Sequence, residues 1–221
     1  VWQALYDDLK SENFTIIAVA LDADIEAARP WIEAVNPTYP VPIDRTHHVA
    51  DLYNLVNVPQ AVWIDEAGTI VRPPESAGVY ESFRSMNLET RSVPAEEAQK
   101  SQTARQLYLA AIRDWVANGA ASRFVNDPAA TRAKLPRPND DTALAHVHFR
   151  LGQYLLDQGA EAEVARQFAE ASRLHPESWA IWRQAAEKNE TGLAAGPAFW
   201  ARVQALGDKR YYPPADIDGM P

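Results

Sequence analysis

Apolar residues recur at helical spacing from the first position: Val1, Leu5 and Leu9 lie four apart, with Trp2 and Tyr6 beside them. Residues 1–10 therefore read as an amphipathic helix. No N-cap residue precedes the stripe, so the chain is expected to begin inside a helix, as a processed or trimmed chain would. Ser11-Glu12-Asn13 breaks the pattern, and residues 14–21, Phe-Thr-Ile-Ile-Ala-Val-Ala-Leu, form a short continuous β-branched run. That composition predicts a parallel strand covered on both faces. Asp22-Ala23-Asp24 caps a helix over 25–35, which Pro30 is expected to kink or break. Prolines hold Tyr39-Pro40-Val41-Pro42-Ile43-Asp44 extended. Residues 46–55 predict a short helix with Val49, Leu52 and Tyr53 on one side. Residues 60–64 then predict a strand, Asp65-Glu66-Ala67-Gly68 a hairpin turn and 69–72 the return strand.

From about Val93 the period becomes helical throughout. Helices are predicted over 95–118, 129–135, 141–158, 160–174, 178–189 and 197–206, with Gly119, Gly159 and Gly207 as stops. Pro73-Pro74 and Pro136-Arg137-Pro138 mark joints. The expected organisation is an α/β module over 1–85, an all-α module over 93–207, and an extended tail over 208–221.

Composition narrows the function. The 221 residues suffice for one large domain or two small ones, and 47% hydrophobic with 23% charged residues is ordinary for a globular chain. A net charge of −9 argues against a general nucleic-acid or anionic-membrane binder, because both need basic surface. The longest apolar runs are too short to span a bilayer. No signal peptide opens the chain, and the compartment, exported or cytoplasmic, stays open. Cysteine is absent altogether, which excludes disulfides and zinc–thiolate sites. It also leaves the chain without the thiolate that thiol–disulfide or peroxidase chemistry requires.

Single constellations carry little. His47 and His48 are adjacent on a helix and point about 100° apart, so they read as an exposed helix start rather than a metal pair. His146 and His148 do not face each other on a helix. His175-Pro176 closes a helix, where a partly cationic ring suits the dipole. Asp22 and Asp24 could act as acid–base groups, although capping explains them equally well. Trp115, Trp179, Trp182 and Trp200 read as the helical core or its seam with the first module. No phosphate loop, Ser-His-Asp pattern or zinc spacing appears. No catalytic residue, metal ligand or cofactor is assigned.

The order of pieces along the first third carries more. Leu5-Tyr6-Asp7-Asp8-Leu9, the run 14–22, Pro42-Ile43-Asp44, Ala50-Asp51-Leu52-Tyr53, Val58-Pro59 and Ile64-Asp65-Glu66-Ala67-Gly68-Thr69-Ile70 follow one another as in the thioredoxin-like superfamily. Residues 1–72 resemble its TlpA/ResA and AhpC/TSA branch. The resemblance implies a thioredoxin-like α/β fold whose first strand and redox loop would lie upstream of Val1. In that family the proline matching Pro59 follows a cis peptide bond, and the residue before it offers backbone hydrogen bonds to an extended substrate. Val58, Pro59 and Gln60 are therefore the expected substrate-binding residues. The plainer alternative is that Val58-Pro59 only turns the chain into the next strand.

The implied function is a thiol–disulfide oxidoreductase or peroxidase-like protein acting on a protein or small-molecule thiol or disulfide. Its Cys or selenocysteine would precede Val1, and the chain as given would be redox-inactive. The alternatives are a non-catalytic interaction module and a structural subunit whose sheet a partner strand completes. The helical half resembles a tetratricopeptide repeat over 141–178, through Leu151-Gly152, Phe168, Ala171 and Pro176, with Trp182 where the next repeat would place its own. Val164 and Leu155 depart from that motif. Gly152 and Ala171 are expected to let two helices approach, with Phe168 filling the interface. Such a hairpin would pack on the first module, or else present a groove to a protein partner.

Overall fold

A computed structural model describes residues 1–135, 137–190 and 192–221. Pro136, part of a predicted joint, lies outside the described residues. Contacts divide the chain into two units: Val1–Ile16, Pro59–Leu135 and Val203–Pro221 form the first, Ile17–Val58 and Pro136–Arg202 the second. This grouping cuts across a division at residue 85. The described residues are largely helical, with a single two-stranded sheet.

In the first unit, helix α1 (Trp2–Leu9) buries Leu5. Strands β1 (Gln60–Ile64) and β2 (Ile70–Ser76) form the predicted antiparallel hairpin. Asp65 shapes its turn by accepting the amides of Ala67 and Thr69, and Gly68 takes the required positive φ of 80°. The return strand runs past its expected end at Arg72. Ala61 pairs with Glu75 and Trp63 with Arg72, so β2 carries one extra residue across this interval. Pro73 and Pro74 sit in that bulge, where a missing N–H is tolerated, and are not a joint between modules.

Helix α4 (Ala95–Asn118) has its predicted ends, with Gly119 at φ 54° closing it. It carries Tyr108, Ala111 and Ile112 into a core shared with Leu5, Trp63 and Val71. Trp63 donates its indole N–H to the Tyr108 hydroxyl at 2.9 Å and stacks on Trp115 at 5.0 Å. Gly78, at φ 65°, lets the backbone pass this helix: a Cβ there would lie 2.6 Å from the Cβ of Tyr108. Helix α5 (Pro128–Lys134) starts on an Asp127 cap. The tail has no regular element, yet it buries Tyr211, Ala215 and Ile217, the last two in the same core. Tyr108→Phe removes the acceptor of a buried indole donor, so it should cost about 1–3 kcal/mol in urea unfolding. An unchanged midpoint would mean that the hydrogen bond contributes nothing.

The second unit departs further from expectation. Residues 14–21 do not form a buried strand. Phe14 and Ile16 pack in the first unit's core, Ile17 is 62% exposed, and the sole pairing is a parallel bridge between Ala20 and Ile43. Ala18 and Ala20 donate to the carbonyls of Pro40 and Pro42, and Asp44 donates back to Ala20. Between these bonds a regular ladder would need an N–H from residue 42, and proline has none, so the pairing is interrupted and only the one bridge forms.

Helix α2 (Ile25–Val35) begins on Asp24, whose carboxylate accepts the Glu26 amide, and it continues through Pro30 without breaking. Helix α3 (His48–Leu52) buries Ala50, whereas Leu52 is 66% exposed and does not join the inward face. Helices α6 (Asp140–Asp157), α7 (Glu161–Leu174) and α8 (Trp179–Ala185) follow; α8 is shorter than its prediction. α9 (Pro197–Gln204) ends the helical series. Phe149, Val164, Phe168, Ala171 and Ile181 form this unit's core, and a Cβ on Gly152 would meet the Phe168 ring at 2.6 Å. That is the close approach the sequence demands. The tryptophans divide: Trp115 belongs to the first core, while Trp179 packs edge-on to Trp182 and Phe199 in the second.

Candidate functional site

The expected substrate-binding residues lie on the segment entering β1. Asn57 is buried, and its side-chain oxygen accepts the Val58 amide at 2.9 Å, which fixes the backbone just before the proline. Val58 is 37% exposed. The carbonyl of Pro59 accepts the Ala77 amide at 3.2 Å, and Gln60 pairs with Ser76 at the open end of the hairpin. Pro59 and Gln60 are thus anchored by the end of the return strand and the residue that follows it. The border between the two units falls between Val58 and Pro59.

Asp22 and Asp24 are organised by their own turn: Asp22 accepts the Asp24 amide, and Asp24 caps α2. Asp22 also sits at the rim of a hollow of about 350 Å³ lined by Ala20, Ala28, Trp31, Ile32 and Leu193. This hollow suits an apolar group beside one carboxylate.

The histidines are arranged otherwise than the sequence suggests. His47 is not an exposed helix start: it is 4% exposed, at φ 55°, with its ring edge-on to Phe149 at 5.2 Å. Neither of its ring nitrogens has a hydrogen-bond partner among the described residues. Burial pushes its pKa down, against the pull of Asp44 and Asp22. His146 lies 3.4 Å from Asp51, which also takes an ion pair from Arg150. The rings of His146 and His175 are 6.0 Å apart, edge to face. His175 is buried and its Nε2 has no partner among the described residues; burial, then His146, lowers its pKa, which works against a cationic helix cap. His148 points elsewhere, to Gln167. No sequence spacing announces this group, since Asp51 and Arg150 are 99 residues apart.

Among the described residues no three His, Asp or Glu side chains are grouped to hold a metal ion, and no helix is long and apolar enough to cross a membrane.

Residues 2–72 match the sequence model of the AhpC/TSA family. Over 68 residues the chain is 34% identical to the thiol-disulfide oxidoreductase ResA of Oceanobacillus iheyensis, a stretch covering 31% of this chain and 35% of that relative. The chain thus spans about a third of the length of the curated relative it matches. No solved structure matches. Both matches support a thioredoxin-like redoxin relationship for the N-terminal third, and the family match ends at Arg72, on the edge of the β2 bulge.

Proposed function

We propose that residues 2–72 are the post-motif portion of a ResA-like thiol–disulfide oxidoreductase or peroxidase. The observation that carries this reading is the family match, which takes in the Asn57–Gln60 segment and most of the hairpin it enters. A cysteine or selenocysteine N-terminal to Val1 would act as nucleophile, since the 221 residues contain no cysteine. Its thiolate or selenolate would attack one sulfur of a disulfide, forming a mixed disulfide and expelling the other sulfur as a thiolate. Val58, Pro59 and Gln60 would hold the extended substrate, with Asn57 fixing the Val58 amide. The domain at 1–85 would carry this chemistry, and the helical region at 93–207 would extend it.

The chain alone should reduce insulin disulfides with dithiothreitol, or consume hydrogen peroxide, no faster than buffer. A rate above buffer from the 221-residue chain would defeat this assignment of the nucleophile. In a longer protein that carries the upstream residue, Pro59→Ala should lower kcat/KM about tenfold or more by misplacing the substrate.

A second reading, a non-catalytic interaction module, has its own observation. Leu144, Val147, Leu151 and Tyr154 follow a 3-4-3 spacing on α6 and are 41–60% exposed. Such a stripe suits the apolar face of a partner's amphipathic helix, and a tetratricopeptide-like hairpin at 141–178 would present it. An upstream reading frame without a cysteine or selenocysteine would favour this reading over the first.

A further inference from the structure

Three histidines of the second unit lie on three different segments that meet at α6. His47 precedes α3 and packs on Phe149 of α6; His146 is on α6 and faces Asp51 of α3; His175 follows α7 and packs on His146. Two of them are more than nine-tenths buried, and between them they leave three ring nitrogens without a partner: both of His47 and the Nε2 of His175. Buried polar atoms without partners are uncommon and costly, so their retention on segments packed against α6 calls for an explanation.

We propose that His47, His146 and His175 form an acid-operated latch, which holds α3 and the α7–α8 junction against α6 while neutral and releases them when protonated. Burial outweighs the surrounding charges that favour the protonated rings. His47 faces Asp44, Asp22 and Lys188, but the Asp44 carboxylate already accepts the amides of His48, Val49 and Ala50. His146 faces Asp51, Arg150 and His175, and Asp51 is engaged by Arg150. His175 faces His146 and Glu177, so the first proton on the pair opposes the second.

Burial lowers all three from the ordinary value of 6.5. The unfolded chain therefore takes up protons as the pH falls through 6.5, while the folded unit does so only lower. Stability is complete above 6.5 and declines below it, by up to tenfold in the folding constant per pH unit for each histidine. A drop from neutral to endosome-like acidity would then open this unit.

The test is hydrogen exchange of the full chain at pH 7.5 and 5.0, corrected for intrinsic rates, together with an NMR titration of the histidine ring protons. Protection is expected to be lost at pH 5.0 in α3, the C-terminal half of α6, and α8, and retained in β1 and α4. His47→Phe and His175→Gln should each reduce the pH dependence. Midpoints at or above 6.5 for all three rings would overturn the latch, whether or not the variants fold. Equal loss of protection in β1 and α4 would overturn it as well.

Discussion

Replacing Arg72 by alanine is expected to destabilise the first unit by about 3–5 kcal/mol. Arg72 is 2% exposed. Its Nε and Nη2 grip the Glu75 carboxylate at 2.7 and 2.9 Å, while Nη1 and Nη2 donate to the carbonyls of Phe124 and Asp216. The guanidinium also lies 5.1 Å from the Trp63 ring centre. Truncation strands a nearly buried carboxylate that keeps just the Asp216 amide at 3.1 Å, along with two carbonyls. The pair itself is another matter: exchanging both charges for Met and Leu should recover most of the loss, since two desolvated charges often do no better than well-packed apolar groups. Urea unfolding followed by tryptophan fluorescence reads both variants. An Arg72→Ala chain within about 1 kcal/mol of the parent would show that the network is decorative.

The second large effect is expected at Gly152. Gly152→Val should cost about 3 kcal/mol, because its side chain must enter the space of the Phe168 ring, where even a Cβ finds carbon at 2.6 Å. Gln167 closes the other side, with its Cβ at 3.4 Å, so the helices must separate. The gain in helix propensity over glycine, about 0.5 kcal/mol, is too small to offset this. Phe168→Ala alone should cost about 3–5 kcal/mol as a cavity. In that background Gly152→Val should be close to neutral, because the valine then fills vacated space. Additive penalties in the double variant would refute direct contact between the two positions.

What was legible in the sequence follows from which forces are local. Helix α4 has its ends written into it by Pro94 and Gly119, and the hairpin by Asp65 and Gly68. The Gly152–Phe168 approach was legible because a small residue opposite a large one is a statement about spacing. Residues 14–21 misled because β-branched composition reports a tendency to be covered and says nothing of a partner's free N–H. Here the neighbouring segment presents Pro42 in place of a donor. Pro73-Pro74 misled in the opposite way, since a bulge depends on the register with β1. Period alone groups Leu52 with Val49 and Tyr53 on one side, and five residues are too few for period to decide which positions are covered. The burial of His47 had no signal at all: the Phe149 ring that covers it lies on α6, far along the chain. The segment Val58–Gln60 was legible as an entry to a strand. Its chemistry comes from resemblance, and the anchoring of Pro59 through Ala77 comes from the fold.

Both units are stitched from separate stretches of chain, and this governs the order in which the protein can be made. Arg72 and Ser76 wait for the carbonyls of Asp216 and Pro213, 144 and 137 residues later. The hairpin emerging from a ribosome meets neither α4 nor the tail, so Trp63 and Val71 stay uncovered until those segments follow. Such long loops must close before their contacts contribute, which slows folding and leaves apolar surface open to misassociation. A peptide ending at residue 85 would lack Tyr108, Ala111, Ile112, Ala215 and Ile217 from the core it needs. Dissection at that point should yield an aggregating fragment.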